Sequence, residues 1–230
     1  MIVAKTKLDQ FKGRLSPAQI TAGINAATQN AKRLFEDALI LFNDKRYPSA
    51  ASLAILSIEE SGKVSILREL ALAKNDKAVL SAWQAYRSHT KKNVNWLLPQ
   101  LAARGARRLD HFSPLFDKDA EHPFLLDQIK QLGFYTDCLA NAHWSIPVEV
   151  VDEPLSKMLV EIAKIFAKNR ETTIKEIELW IKHVGPVWMT NAAWMKKALA
   201  NWYGEMQQLG LAPEGKNAME EFVRQGFGSL

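Results

Sequence analysis

A short polar run interrupts one apolar stretch of the chain, and its residue types suit acid–base or ion-pair chemistry. The run is Ser57-Ile58-Glu59-Glu60-Ser61-Gly62-Lys63. On a helix, Lys63 lies three residues after Glu60 and four after Glu59, so one ammonium group can neutralise either carboxylate. Gly62 costs about 1 kcal/mol relative to alanine inside a helix, which is easiest to explain if a backbone or a ligand comes close there. The run therefore predicts a functional polar network, and a salt bridge on the protein surface is the simpler alternative.

A second cluster combines one imidazole with several permanent cations, in the run Tyr86-Arg87-Ser88-His89-Thr90-Lys91-Lys92. On a continuous helix, His89 and Lys92 share one face. The surrounding cations favour the neutral imidazole, which is the form that accepts a proton. These residues would suit activation of an RNA 2′-hydroxyl by His89, with Arg87 and Lys92 holding the phosphate. A histidine with a purely structural role explains the same pattern.

Two later groups complete the candidate residues. The first is basic and lies around a connection that we expect to be irregular, and it consists of Arg104, Arg107, Arg108 and His111. The second consists of Tyr135 and Asp137, which would support the polar network. Tyr135 carries a phenolic hydroxyl that can donate a hydrogen bond into a polar site, although an aromatic residue at helical spacing belongs more commonly to a core.

Positive charge is concentrated in one part of the chain. The net charge is +5, but the segment from Lys63 to Lys118 holds eleven basic and only four acidic residues. Such a concentration is typical of a surface that binds the phosphate backbone of a nucleic acid. We therefore expect RNA as a partner, and a solvated basic face without a ligand is the alternative.

Other common machinery is missing from the sequence. It contains no glycine-rich phosphate loop, no nucleophile elbow and no His-Glu-x-x-His pair, and its single cysteine, Cys138, excludes a disulfide framework or a multi-cysteine metal site. We expect neither a metal nor another cofactor.

The longest apolar stretch, residues 47–58, is too short to span a bilayer, and residues 1–11 lack the pattern of a secretory signal. The expected location is the cytoplasm, with no membrane contact.

The first elements that must position these residues form a long helical hairpin. Ser16-Pro17-Ala18-Gln19 combines an N-cap, a first-turn proline and a capping box, and predicts a helix to about Asn43. Tyr47-Pro48 begins a second helix that runs to about Leu72, and its small residues predict a central, buried position. A third helix begins near Asp76 and ends before Pro99 or continues, kinked, to Arg104.

The rest of the chain also favours helices. The predicted segments are residues 124–142, 155–181, 188–209 and 213–225, and no alternation long enough for a sheet separates them. The predicted fold class is all-α.

An ordered series of motifs runs along the chain. The motifs are Arg46-Tyr47-Pro48-Ser49-Ala50-Ala51, Leu53-Ala54-Ile55 leading into Glu59-Glu60-Ser61-Gly62-Lys63, Trp83 followed by Arg87-Ser88-His89 and Lys92, and Tyr135-Thr136-Asp137. Together they resemble the AbiV family of bacterial abortive-infection proteins, within the wider HEPN group, over roughly Asn25 to Pro147. The resemblance implies a HEPN-like helical bundle, which we assign to residues 1–153. Residues 154–230 follow the resemblance, and we expect them to form a C-terminal helical extension packed on the bundle.

The resemblance implies antiphage defence by a homodimer that acts on RNA or translation and is switched by a phage-encoded protein. Many HEPN proteins are metal-independent ribonucleases in which an arginine precedes a histidine by four to six intervening residues. Here Ser88 alone separates Arg87 from His89, whereas Arg104 and His111 keep the spacing but fall in the irregular connection.

Two functions from different classes follow. The first is an endoribonuclease or toxin with catalytic His89, Arg87, Glu60 and Lys63, phosphate-binding Lys92, Lys91, Arg104, Arg107, Arg108 and His111, and supporting Glu59, Tyr135 and Asp137. The second is a non-catalytic module that binds RNA or protein. A third, simpler alternative is an adaptor bundle that docks a partner through its tryptophan-rich C-terminal helices.

Overall fold

A long antiparallel helical hairpin organises the protein. The computed structural model describes residues 9–106, 109–117, 119–168 and 170–225. Helix α1 spans Pro17–Asn43 and α2 spans Tyr47–Ala71. The capping box forms as predicted, because the Ser16 hydroxyl accepts from the Gln19 backbone N–H at 3.3 Å and the Gln19 side chain accepts from the Ser16 N–H at 2.9 Å. The predicted hairpin is confirmed.

Shorter helices surround this hairpin, and the all-α fold class is confirmed. The only sheet among the described residues is one antiparallel pair, β1 (Asp137–Leu139) and β2 (His143–Ser145). In the part of the chain that the structure describes, 3₁₀ segments occur at Leu109–Phe116, Ala140–Ala142 and Gly185–Val187. The further α-helices are α3 (Asp76–Arg87), α4 (His89–Lys92), α5 (Leu98–Ala103), α6 (His122–Phe134), α7 (Pro147–Val150), α8 (Glu153–Phe166), α9 (Ile174–Val184), α10 (Ala192–Gln208) and α11 (Ala218–Gln225).

Local capping residues end helices that periodicity alone predicts to continue. The third helix stops at Arg87 because Ser88 is extended, with φ −82° and ψ 128°, and caps the separate helix α4. The helix predicted over residues 124–142 ends at Phe134 and is followed by the β-hairpin. The one predicted over residues 155–181 is divided into α8 and α9, and Thr173 and Glu176 form a second capping box at the start of α9.

Helix α2 lies at the centre of the bundle, as its small residues predict. Ala50, Ala51 and Ala54 are completely buried, which lets α1, α6 and α8 approach its backbone closely. Leu159 of α8 belongs to the same core as Ile55 of α2. The principal core is therefore built by helices that are distant in sequence.

The C-terminal helices pack on the other end of the hairpin. Ile177 of α9 joins a second core with Ile20 and Ile24 of α1. Trp180 of α9 and Trp202 of α10 meet edge to face, with their ring centroids 5.3 Å apart. Within the described ranges, every helix is too short or too polar to cross a lipid bilayer.

Candidate functional site

One buried carboxylate is the centre of a charged cluster between α2, α4 and α6. The side chain of Glu59 on α2 is only 2% exposed. Its Oε1 lies 2.6 Å from Lys130 Nζ, and its Oε2 lies 2.7 Å from His89 Nδ1 and 3.3 Å from Lys92 Nζ. A carboxylate withdrawn from water needs such partners, because an unpaired buried charge costs several kcal/mol or more. We call Glu59, His89, Lys92, Asp127 and Lys130 the Glu59 cluster.

Lys130 supplies a permanent positive charge to the Glu59 cluster. Its Nζ lies 2.6 Å from Asp127 Oδ1 as well as 2.6 Å from Glu59 Oε1. Burial lowers the pKa of Lys130, but the hydrogen bonds to Asp127 and Glu59 outweigh burial and hold that pKa above its usual value. The ammonium is therefore fully charged at neutral pH and joins α6 to α2.

His89 is the part of the cluster that meets solvent. Its side chain is 53% exposed, and its Nδ1 lies 2.7 Å from Glu59 Oε2 and 3.2 Å from Lys130 Nζ. We assign the proton to Nδ1, because a lone pair there would face the carboxylate, whereas an N–H donates to it. In this tautomer Nε2 carries the lone pair, and none of the hydrogen bonds among the described residues uses Nε2. The sequence predicted that cations surround the His89 ring. In the structure the charged atom nearest to this ring is the carboxylate oxygen of Glu59.

Three side chains of the cluster have the chemistry of metal ligands. The ligand atoms of Glu59, His89 and Asp127 all lie within 4.8 Å of one another. However, Lys130 Nζ is in hydrogen-bond contact with both carboxylates and thus occupies the position that a cation would take. The three residues form an internal ion-pair network with Lys130, and a metal ion would have to displace its ammonium.

Gly62 permits the close approach of α4 to α2. A Cβ atom at this position would lie 2.1 Å from the carbonyl oxygen of Lys92. The approaching group is thus a backbone, one of the two explanations that the sequence suggested. This contact brings His89 and Lys92 within reach of Glu59.

Glu60 and Lys63 form a separate pair on another face of α2. Lys63 Nζ lies 2.6 Å from Glu60 Oε1 and 5.1 Å from the centre of the Tyr86 ring. Consecutive residues of a helix point about 100° apart, so Glu59 and Glu60 contact different side chains. Glu60 and Lys63 pair with each other, and no described hydrogen bond or ion pair links them to His89.

Arg87 also lies outside the Glu59 cluster. Its guanidinium donates to the carbonyl oxygens of Phe11 at 2.6 Å and of Trp83 at 3.4 Å, and it lies 5.2 Å from the Trp83 ring centre. The extended conformation of Ser88 separates α3 from α4, so Arg87 and His89 do not share a helix. The structure therefore brings His89 and Lys92 together but directs Arg87 to the N-terminal segment.

The predicted phosphate-binding residues differ in their access to solvent. Lys92 is only 8% exposed and is paired with Glu59, so it cannot meet RNA without leaving that carboxylate. Lys91, Arg104 and His111 are exposed, and they lie on α4, directly after α5 and in a 3₁₀ segment. Arg107 and Arg108 fall outside the described residues.

Tyr135 and Asp137 lie at the end of α6 and in β1. Tyr135 is exposed beside Phe134, with the ring centres 6.2 Å apart. The backbone N–H of Asp137 donates to the Ser145 hydroxyl at 3.1 Å. None of the described hydrogen bonds joins either residue to the Glu59 cluster, so the predicted supporting network does not form there.

Sequence reasoning missed Lys130 and Asp127, which complete the cluster. Both lie on α6, three residues apart, and this spacing is a weak signal because many surface pairs share it. A lysine between the apolar residues Ile129 and Leu132 could have been noticed. Its partner on α2, 71 residues away, could not be inferred from local sequence.

A long helical hairpin with short helices packed around it, and a buried polar cluster at their junction, defines a HEPN-like helical bundle. The family model for AbiV (HEPN_AbiV) matches residues 19–168, and the chain belongs to this family. It is accordingly an abortive-infection protein of the HEPN defence type. The match includes α8, which the sequence-based division assigned to the C-terminal extension. Searches of curated proteins and of solved structures found no match.

Proposed function

We propose that this defence protein is a metal-independent endoribonuclease in which His89 is the general base. The observation that carries the proposal is the hydrogen bond of His89 Nδ1 to the buried Glu59 carboxylate at 2.7 Å, combined with the exposure of the ring. A carboxylate behind an imidazole selects the tautomer whose other nitrogen accepts a proton. The same carboxylate stabilises the imidazolium that forms when the proton arrives.

The reaction uses the 2′-hydroxyl of the RNA itself. His89 Nε2 takes the hydroxyl proton, the 2′-oxygen forms a bond to the adjacent phosphorus, and the bond from phosphorus to the 5′-oxygen breaks. The leaving 5′-oxygen takes up a proton from solvent, and the products are a 2′,3′-cyclic phosphate and a 5′-hydroxyl. No redox step or metal ion is needed to balance this reaction.

Cationic residues outside the Glu59 cluster would bind the RNA backbone. Lys92 and Lys130 are engaged by carboxylates, whereas Lys91, two residues after His89, and Arg104 are exposed. Exposed cations bind phosphates without first breaking a buried ion pair. We therefore assign RNA binding to Lys91 and Arg104, within the basic segment of the chain.

A second candidate function is a non-catalytic RNA- or protein-binding module. It is favoured by the charge balance of the Glu59 cluster, in which two carboxylates face two ammonium groups. A balanced network can serve only to hold α4 against α2 and α6. Under this alternative His89 is a structural residue and RNA is retained without cleavage.

The experiment that tests the proposal incubates purified protein with total RNA in a metal chelator and compares three variants. His89→Ala removes the base, and His89→Gln keeps a donor for Glu59 but has no basic nitrogen. Both variants are expected to lose about 10²-fold or more of the cleavage rate, which is the usual contribution of a general base. His183→Gln is the matched control, because this histidine lies on α9, contacts Glu205 and belongs to neither the Glu59 cluster nor the β-hairpin.

Each outcome separates the two functions. Discrete cleavage that disappears in both His89 variants and persists in His183→Gln supports the ribonuclease. Salt-sensitive RNA retention without cleavage supports the binding module. Full cleavage by folded His89→Ala would eliminate His89 as the base.

We further propose that the protein acts as a homodimer and that a phage-encoded protein is its trigger. Exposed apolar side chains occur along the segment from the end of α6 through the β-hairpin to α7. Tyr135, Trp144 and Val148 are the most exposed of them. Exposed apolar patches of this kind mark interaction sites. Because α6 also carries Lys130 and Asp127, a second copy on this surface would lie near the Glu59 cluster.

A further inference from the structure

A cavity of about 390 Å³ lies between the central helix and the C-terminal helices, next to the Glu59 cluster. Three cationic side chains line it, Arg68, Lys92 and Arg170, together with one carboxylate, Glu176. Its volume falls within the range of small-ligand sites, about 300–1,000 Å³. The cavity is therefore large enough for one small molecule and rich in positive charge.

The three cationic side chains that line this cavity differ in whether a carboxylate pairs with them. Arg170 pairs with Glu176, and Lys92 pairs with Glu59. Arg68 forms no ion pair or side-chain hydrogen bond with any described residue, and its Nε atom is buried without a partner. Burial lowers the pKa of Arg68 from its usual value, while the charge of Glu176 acts in the opposite direction. An N–H group buried without an acceptor is costly, which is explained if a ligand supplies that acceptor.

Two tryptophans hold Arg68 in place without using its hydrogen-bond donors. Its guanidinium carbon lies 5.8 Å from the ring centre of Trp180 and 5.8 Å from that of Trp202. The Trp180 indole also donates to the Arg68 carbonyl oxygen at 3.2 Å. Cation–π contacts orient an arginine while its N–H groups stay available. The C-terminal helices thus prearrange the cation.

A reciprocal pair of hydrogen bonds joins α1 to Thr172, which lines the cavity. The Asn25 side chain donates to the Thr172 carbonyl at 3.0 Å and accepts from the Thr172 N–H at 2.9 Å. The ring of Trp96 and the ring of Phe166 contribute apolar wall. The site therefore combines a cationic end with aromatic surface.

We propose that this cavity binds a small phosphate-bearing ligand of the size of one nucleotide, with Arg68 as the principal phosphate contact. The planar guanidinium matches two phosphate oxygens, and a phosphate provides the acceptors that Arg68 lacks. The aromatic wall accommodates a base. Lys92 lines the cavity and also contacts Glu59, so a bound phosphate would compete with Glu59 for this ammonium group. Ligand binding would in this way reach His89.

The test measures binding by the full chain and does not depend on RNA cleavage. AMP, adenosine and inorganic phosphate are titrated by calorimetry, and melting temperatures are recorded with each. AMP is expected to bind and raise the melting temperature, since a ligand of the folded state stabilises it. Phosphate should bind more weakly and adenosine not measurably. Absence of AMP binding at millimolar concentration overturns the proposal, as does binding of a 5′-phosphorylated dinucleotide in place of AMP.

Arg68→Met tests the assigned contact, with Arg33→Met on the exposed face of α1 as the matched control. Arg68→Met should weaken AMP binding at least tenfold while keeping or raising the melting temperature without ligand, because it removes a partly buried cation whose Nε atom has no acceptor. Arg33→Met should bind AMP as the natural chain does. Unchanged AMP affinity in Arg68→Met overturns the assignment. If Arg68→Met does not fold, Arg68→Lys keeps the charge without the planar fork, and equal AMP affinity in that variant likewise overturns it.

Discussion

At the scale of single residues, the chemistry depends on how the charge of Glu59 is compensated. Three cationic or imidazole groups contact one carboxylate that is removed from water. Two of these contacts are buried, and the third, His89, is exposed. This asymmetry makes His89 the member of the cluster that can meet a substrate.

Replacing Lys130 with methionine is expected to destabilise the fold by about 3–5 kcal/mol, because it leaves a buried carboxylate short of one partner. Urea unfolding measures this loss. Lys175→Met removes a lysine from an exposed pair with Glu178 at the same helical spacing, and should cost less than about 1 kcal/mol. Equal effects of the two substitutions would contradict the buried role of Lys130.

The raised pKa of Lys130 also predicts a dependence of stability on alkaline pH. Its pKa in the folded state lies above the unfolded value, so the stabilisation is complete below the unfolded pKa and is lost as pH rises through the folded pKa. The free energy of unfolding of the natural chain should therefore begin to fall near pH 10.5, the usual lysine pKa, and continue to fall at higher pH. Lys130→Met should show a smaller decrease over the same range, and parallel curves would argue against the assignment.

At the scale of elements, the site exists because α3 and α4 are separate helices. Ser88 ends α3 and begins α4, and the short α4 then presses its Lys92 carbonyl against Gly62 of α2. A continuous third helix, as periodicity predicts, would have kept Arg87 and His89 on the same helix. Because of the break, His89 contacts Glu59, whereas Arg87 contacts the N-terminal segment.

Gly62→Ala tests this close approach. Alanine favours the helix by about 1 kcal/mol, but its Cβ would overlap a backbone oxygen and force α4 away, at a cost of about 1–3 kcal/mol or more. We expect net destabilisation in chemical unfolding and a changed environment of His89 in its NMR spectrum. Gly23→Ala in the interior of α1 is the control, since that Cβ would meet only the methyl groups of the Leu67 side chain, at 3.3 Å and 3.9 Å, and no backbone atom. A Gly62→Ala variant as stable as the natural chain would refute the backbone contact.

At the scale of the whole molecule, two exposed aromatic surfaces among the described residues are candidates for the proposed self-association. Trp144 lies on the β-hairpin and Trp194 on α10, and both side chains are largely exposed. Only the first surface shares a helix with the Glu59 cluster, through its start at Phe134 on α6. We therefore assign the dimer to the hairpin surface.

Trp144→Lys should convert the dimer to a monomer, because the substitution places a charge in an apolar contact, and light scattering after gel filtration measures the mass. Trp194→Lys should leave the dimer intact. The reverse result would move the interface to the C-terminal helices. A natural chain that is monomeric at high micromolar concentration would remove the dimer proposal.

The amount that could be predicted from the sequence differs between backbone and site. Ser16, Pro17 and Gln19 defined the start of α1, and Tyr47-Pro48 that of α2, because caps and first-turn prolines act within a few residues. The ends of α3 and α6 were missed, since Ser88 and the β-hairpin compete with helical periodicity in ways that depend on neighbouring elements.

The sequence by itself determined the all-α class, the central hairpin and the family, and it singled out Glu59, Gly62, His89 and Lys92 as candidates. Those features follow from periodicity, capping and ordered motifs, which are local. Tertiary structure alone decided that Glu59 pairs with Lys130, that Lys92 is buried and that Arg87 turns away. The partner of a charged side chain depends on which helices pack together and on which groups are removed from water. Separation along the sequence indicates neither of these.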